Sequence, residues 1–170
     1  MNSRKVPSRN SYFFKTMQSP VGKLKLVASD AGLAAILWEN DPPSRVRLNI
    51  LAENHHHPVL LQAERQLSEY FAGQRTSFDL PLDFAGTEFQ QKVWKVLLEI
   101  PFGETRTYGQ IARQLGKPNA MRAVGAANGR NPISIVAPCH RVIGADGGLT
   151  GFAGGLRVKE YLLGMERRAR

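Results

Sequence analysis

Cys139 is the only cysteine among 170 residues, and it sits in the stretch IVAPCHRVIG, residues 135–144, between Pro138 and His140. A lone cysteine forms no internal disulfide, so it is a small buried hydrophobe or a reactive thiol. The nucleophile is the thiolate, and an ordinary thiol is mostly protonated at neutral pH. A reactive cysteine therefore needs a base nearby, and that base needs an orienting partner. His140 is adjacent. On an extended strand neighbouring side chains point to opposite faces, so direct pairing requires a turn or a bridging water; Pro138 favours a local bend. The orienting group should be a carboxylate. Only six acidic residues lie in 85–170, and near the C-terminus the candidates are Glu160 and Glu166. Residue types alone leave both open.

The elements that must position these groups fall into two halves. In the first, SYFFKTMQ, KLKLVAS and LAAILWE read as strands, separated by the turn signals SPVG and DAG. NDPPSR reads as a loop. A helix is expected from about Val59 to Phe71, with Leu60, Ala63, Leu67, Tyr70 and Phe71 on one face and Gly73 ending it. PLDFAG reads as a linker. In the second half, Thr87 to Gln90 is a T-x-x-Q capping box opening a helix with Phe89, Val93, Val96, Leu97 and Ile100 at helical spacing. A second box, Thr107 to Gln110, opens the short helix YGQIARQL. Gly116 and KPN make a turn, and AMRAVGAAN is a second short helix, so the pair matches a helix-turn-helix. ISIVA, residues 133–137, reads as a strand leading to Cys139. GADGGLTGFAGG is a Gly-rich loop without the P-loop pattern. A last helix over about 156–165 buries Val158, Leu162 and one of Tyr161 or Met165, and ERRAR reads as an exposed tail.

The net charge is +9 and unevenly placed. Residues 1–84 carry 10 Lys and Arg against 8 Asp and Glu, whereas residues 85–170 carry 13 against 6. A basic second half containing a helix-turn-helix suits a polyanion such as nucleic acid. On the second short helix, Ala120, Ala123, Gly125, Ala126 and Ala127 are small, which suits close packing or deep entry into a groove. Arg122 is then the one long cation near its start. No apolar run reaches the roughly 18 residues that cross a bilayer. The opening MNSRKVPSRN has no apolar signal core and reads as a flexible basic arm over residues 1–10. A single cysteine and no export signal point to a reducing cytoplasm. They exclude a multi-cysteine zinc site, and three consecutive histidines at 55–57 do not make one, so neither metal nor cofactor is expected.

The segments TYGQIA, RAVGAANGRNP, NPISIVAPCHRVIG and GLTGFAGGLRVKEYLL together resemble the O6-alkylguanine-DNA alkyltransferases, strongly over about residues 65–170 and loosely over the N-terminal sheet. The order P-C-H-R carries most of the specificity. The resemblance implies a small RNase H-like α/β domain over residues 11–84 and a mostly helical DNA-binding and alkyl-acceptor domain over residues 85–170. It implies direct, stoichiometric transfer of an alkyl group from O6-alkylguanine, with O4-alkylthymine as a second substrate class, to Cys139, which consumes the protein. His140 would be the water-linked base, Glu166 its orienting group, and Tyr108 a residue beside the flipped base that helps neutralise the leaving guanine. Arg122 would fill the gap in the base stack, with Ala123, Ala126, Ala127 and Gly129 against DNA. Asn131 would tie the helix-turn-helix to the reactive segment beside Pro138, and Phe152 and Ala153 would wall the pocket. The partner implied is double-stranded DNA, entered through the minor groove with base flipping; no membrane and no obligate protein partner is implied. Phe152 stands where many relatives have Tyr.

A non-catalytic protein that binds alkylation-damaged DNA is the main rival reading. Relatives of that kind replace the cysteine, commonly with tryptophan, and Cys139 argues against it. A helix-turn-helix regulator leaves P-C-H-R unexplained, and a cysteine hydrolase is weaker still.

Overall fold

The structure is a computed structural model, and it describes residues 11–169; the expected basic arm, residues 1–10, lies outside the described residues. Three strands, β1 (Tyr12–Ser19), β2 (Gly22–Ser29) and β3 (Gly32–Trp38), form an antiparallel meander. A fourth, β4 (Ile50–Glu53), adds parallel to β1, giving the order β3-β2-β1-β4. Its short, mostly exposed ILAE gives little strand signal, and sequence reading misses it. Helix α1 (Pro58–Phe71) packs on the sheet through Leu60, Ala63, Leu67 and Tyr70. His57 caps it, its Nδ1 accepting from the Val59 amide at 3.2 Å.

Edge strand β3 is covered rather than left open, which blunts strand-on-strand aggregation. The Leu33 amide donates to Pro81 O at 2.8 Å and the Asp83 amide donates to Leu33 O at 2.8 Å. The expected linker therefore pairs along β3. A Cβ on Gly32 would lie 2.6 Å from Pro81 O, so glycine permits this approach. Further along β3, the Ile36 amide donates to Pro132 O at 2.8 Å and Ile36 bridges Ile133. The N-terminal sheet thereby holds the segment leading to Cys139.

In the second half, α2 (Glu88–Leu97) and α3 (Tyr108–Gln114) each open on a complete capping box, at Thr87/Gln90 and Thr107/Gln110. Such caps are worth about 1 kcal/mol each. Helix α2 stops at Leu97, so Ile100 is buried from the following turn rather than from the helix. After α3, Gly116 at φ 74° reverses the chain, and α4 (Met121–Gly129) packs against α3. A two-residue parallel ladder of β5 (Arg106–Thr107) with β6 (Val142–Ile143) fixes the start of α3 beside the Cys139 segment. Helix α5 (Leu156–Arg168) runs past the expected end. Its inward face is Lys159, Leu162, Leu163 and Glu166, whereas Tyr161 is exposed and Val158 and Met165 are half-buried. The expected ERRAR tail is thus partly helix, with Glu166 buried in it. None of the described helices is long and apolar enough to cross a membrane.

Candidate active site

ISIVA is not a strand. Residues 134–136 are a turn, and Ile135 takes φ 74°. A β-branched residue in the left-handed region costs on the order of 1–3 kcal/mol and persists only where its surroundings hold it. Asn131 does much of that holding from inside the loop. Its Nδ2 donates to Ala137 O at 2.8 Å, and its Oδ1 accepts from the Ile133 amide at 3.0 Å. Its own carbonyl accepts from Arg45 Nη1 at 2.8 Å, and Arg45 also reaches Gly129 O, at 3.2 Å, while pairing with Asp41. Ile133 and Ile135 fill the core beneath the sheet.

From Pro138 the chain enters a single 3-10 turn, Cys139–Arg141. This resolves the difficulty an extended strand poses for adjacent Cys and His, because the turn breaks the strict alternation of side chains. All three residues are buried, Cys139 at 4% exposure. Burial pushes the Cys139 thiol up from its ordinary pKa, opposed by hydrogen bonds from Asn131 and Ser134 and by the charges of Arg45 and Lys159. Ser134 is itself fixed by Trp38, whose Nε1 donates to its Oγ at 3.2 Å.

Of the two carboxylates left open by sequence, the geometry selects Glu166; Glu160 is exposed. Glu166 Oε2 lies 2.8 Å from His140 Nε2, and neither side chain is exposed. Glu166 also takes a two-pronged contact from Arg141, Nε to Oε1 and Nη2 to Oε2, both 2.9 Å. The Tyr70 hydroxyl donates to Oε2 at 2.5 Å and the Gly103 amide to Oε1 at 3.1 Å. Burial alone would raise the Glu166 pKa; the hydrogen bonds and charges of His140 and Arg141 outweigh it and hold the carboxyl well below its usual range. Burial likewise lowers the His140 pKa, against the pull of Glu166 and with Arg141 and Lys159 adding to the lowering. The imidazole is thus kept neutral. With Nε2 donating to Glu166, its Nδ1 is the acceptor, and Nδ1 has no protein partner among the described residues. A neutral imidazole with its free lone pair beside a buried thiol is arranged to take a proton.

Of the other expected residues, Tyr108 and Phe152 pack against the cluster that holds Cys139. Tyr108 starts α3, and its hydroxyl lies 2.5 Å from Thr150 Oγ1 in the Gly-rich loop. Tyr108, Gly109, Arg122, Gly125, Ala145 and Thr150 line a cleft of about 660 Å³. Arg122, Ala123, Ala126 and Gly129 form an exposed face of α4. Ala127 does not join it: at 2% exposure it packs in the helical core, and its carbonyl accepts from Trp94 Nε1 at 2.8 Å. Ala127 is small because α2 and α4 approach closely there, which corrects its expected place against DNA. Phe152 packs edge-on to Trp38, with centroids 5.5 Å apart, and Ala153 is half-buried beside it. No group of three His, Cys, Asp or Glu side chains with metal-holding geometry occurs among the described residues.

Sequence reading missed Arg141, Lys159, Tyr70 and Arg45. Lys159 is fully buried, its Nζ donating to Val142 O at 2.6 Å. Its place on the same face of α5 as Leu162 and Glu166 was a usable signal, since a lysine at a core position is rarely left unpaired. Arg45 lies in a segment with no periodic pattern, and nothing local marks it.

The chain matches the models of both halves of one family: 6-O-methylguanine DNA methyltransferase, ribonuclease-like domain, over residues 12–84, and its DNA binding domain over residues 88–168. It belongs to that family. It is 48% identical over 154 residues to a methylated-DNA–protein-cysteine methyltransferase of Methanosarcina acetivorans, covering 91% of this chain and 97% of the relative. A protein of the same name from Mycolicibacterium paratuberculosis is 50% identical over 157 residues, covering 91% and 92%. Among solved structures, Mycobacterium tuberculosis OGT in complex with DNA superimposes with a TM-score of 0.83 at 47% identity, covering 92% of this chain and 94% of that one.

Proposed function

We propose that this family member repairs DNA directly, moving an alkyl group from O6-alkylguanine in a duplex to Cys139 and ending its own activity in doing so. The observation that carries the reading is the buried set Cys139, His140 and Glu166, with Tyr108 packing against the cluster that holds Cys139 and also lining a cleft with Arg122 and Gly125 of α4. The names of the relatives and the DNA complex of the mycobacterial structure support it.

In the reaction His140 Nδ1 takes the Cys139 proton through a water, and Glu166 holds the imidazolium that results. The thiolate attacks the alkyl carbon; the S–C bond forms as the C–O6 bond breaks, and the electron pair stays with the guanine. Tyr108, at the cleft, donates toward the base as that charge develops. A base stacked in a duplex is out of reach, so it flips into the pocket walled by Phe152 and Ala153. Arg122 fills the vacated place, while Ala123, Ala126 and Gly129 let α4 approach the minor groove. Asn131 and Pro138 hold the reactive turn against the helix pair α3–α4, which acts as the helix-turn-helix of a DNA-binding unit over residues 85–170, joined to the α/β unit over 11–84. O4-alkylthymine is the second substrate class. The protein works in the cytoplasm and needs no obligate protein partner.

The test is stoichiometry. With a duplex carrying one labelled O6-methylguanine in excess, label transfer should stop at one per chain; continued turnover would contradict the proposal.

A further inference from the structure

We infer that Tyr70, on helix α1 of the sheet unit, is a positioning residue for the transfer: its hydroxyl donates to the Glu166 oxygen that faces His140 and restrains how strongly Glu166 draws on the imidazole proton. The hydroxyl lies 2.5 Å from Glu166 Oε2, the same oxygen that lies 2.8 Å from His140 Nε2 and 2.9 Å from Arg141 Nη2. A carboxylate is acceptor-only, so the phenol is the donor. Each donor on that oxygen spreads its charge, and a carboxylate so occupied is a weaker acceptor for the His140 N–H.

The phenol is placed to do this rigidly. Tyr70 is 1% exposed, and its ring meets Phe71, Phe78 and Phe102 at centroid distances of 5.3, 5.4 and 6.2 Å. The other charged or polar groups facing the relay are Arg141 from the 3-10 turn, Lys159 from α5 and the Gly103 amide. Tyr70 is the contribution of α1, and its hydroxyl joins that helix to the Glu166 carboxylate through one hydrogen bond. Removing the hydroxyl leaves the two-pronged Arg141 contact in place. The relay should therefore survive with a more basic His140, and loss of activity on acidification should begin at higher pH.

The inference rests on His140 being the base, and the experiment separates the two. Single-turnover transfer from a methylated duplex is measured from pH 5 to 9 for the unmodified protein, Tyr70→Phe, His140→Gln, and a chain carrying 3-fluorotyrosine at position 70 alone. The acid limb should move up by about 0.3–1 pH unit in Tyr70→Phe and down with the fluorinated phenol, a stronger donor. It should disappear in His140→Gln. The fluorinated chain keeps the hydrogen bond and decides the matter if Tyr70→Phe fails to fold. A limb that disappears in His140→Gln but stays put with the fluorinated phenol, whatever uniform slowing accompanies it, overturns the role of Tyr70. A limb that persists in His140→Gln overturns the base assignment, and the role of Tyr70 with it.

Discussion

His140 Nε2 and Glu166 Oε2 lie 2.8 Å apart with both side chains at 0% exposure, and Arg141 grips the same carboxylate from the other side. The pair is a buried structural joint, and in the proposed reaction it is also the relay. Both groups have lowered pKa values in the fold, so the unfolded chain binds each proton first. The stability contributed by this pair should be complete above the ordinary histidine value near 6.5, decline as pH falls below it, and decline again below about 4.5 as unfolded carboxyls protonate ahead of Glu166. Glu166→Gln should lose about 3–5 kcal/mol at neutral pH, because Arg141 is left as a buried unpaired charge. It should also flatten the lower decline. Urea unfolding at pH 7.5, 5.5 and 4 checks this; an unchanged pH slope in the variant would contradict it.

Asn131 satisfies Ala137 O and the Ile133 amide inside the loop that carries Ile135 at φ 74°. Asn131→Ala strands the buried Ile133 amide at roughly 1–3 kcal/mol, while Ala137 O keeps the bond it accepts from the Cys139 amide at 2.7 Å. The reactive turn should loosen with it, so the melting temperature falls and transfer slows more than DNA binding weakens. Calorimetry with parallel binding and transfer assays tests the split.

Arg122 is exposed near the start of α4, at the edge of the cleft. Arg122→Ala should slow transfer from duplex DNA about tenfold or more, since unstacking a step costs a few kcal/mol, yet leave transfer from free O6-alkylguanine nearly unchanged. Equal slowing on both substrates would rule out a stack-filling role.

Cys139 is 4% exposed and packs in the helical core with Val93, Ile111, Val124 and Val142. Adding a methyl to so close a site typically costs about 1–3 kcal/mol by overpacking, and larger adducts more. The alkylated protein should melt below the free one, with the benzyl product lowest. Unchanged or raised melting temperatures for both products would show that the pocket accepts the adduct without strain.

Helices α1 to α4 were legible because their caps and apolar spacing are local: two T-x-x-Q boxes and one continuous stripe mark three of them. Cys139 and His140 stand out in the sequence because a unique cysteine beside a histidine is informative by itself. What sequence could not show is set by tertiary pairing. β4 exists because β1 offers an edge, and 81–83 pairs along β3 although PLDFAG reads as a linker. ISIVA has strand composition but becomes a turn, because Asn131 and the core below Ile133 and Ile135 override local preference. The choice of Glu166 over Glu160 is one of helix phase on α5, and Tyr70 looked like an ordinary core aromatic until its hydroxyl was seen on that carboxylate.

The most direct test of the account is intact-mass and peptide mapping after incubation with a duplex containing O6-methylguanine, for the unmodified protein and Cys139→Ala. The account predicts one added methyl, on the peptide bearing Cys139, with guanine restored in the DNA, and no added mass in Cys139→Ala despite retained DNA binding. A methyl on any other residue, or repair by Cys139→Ala, would contradict it.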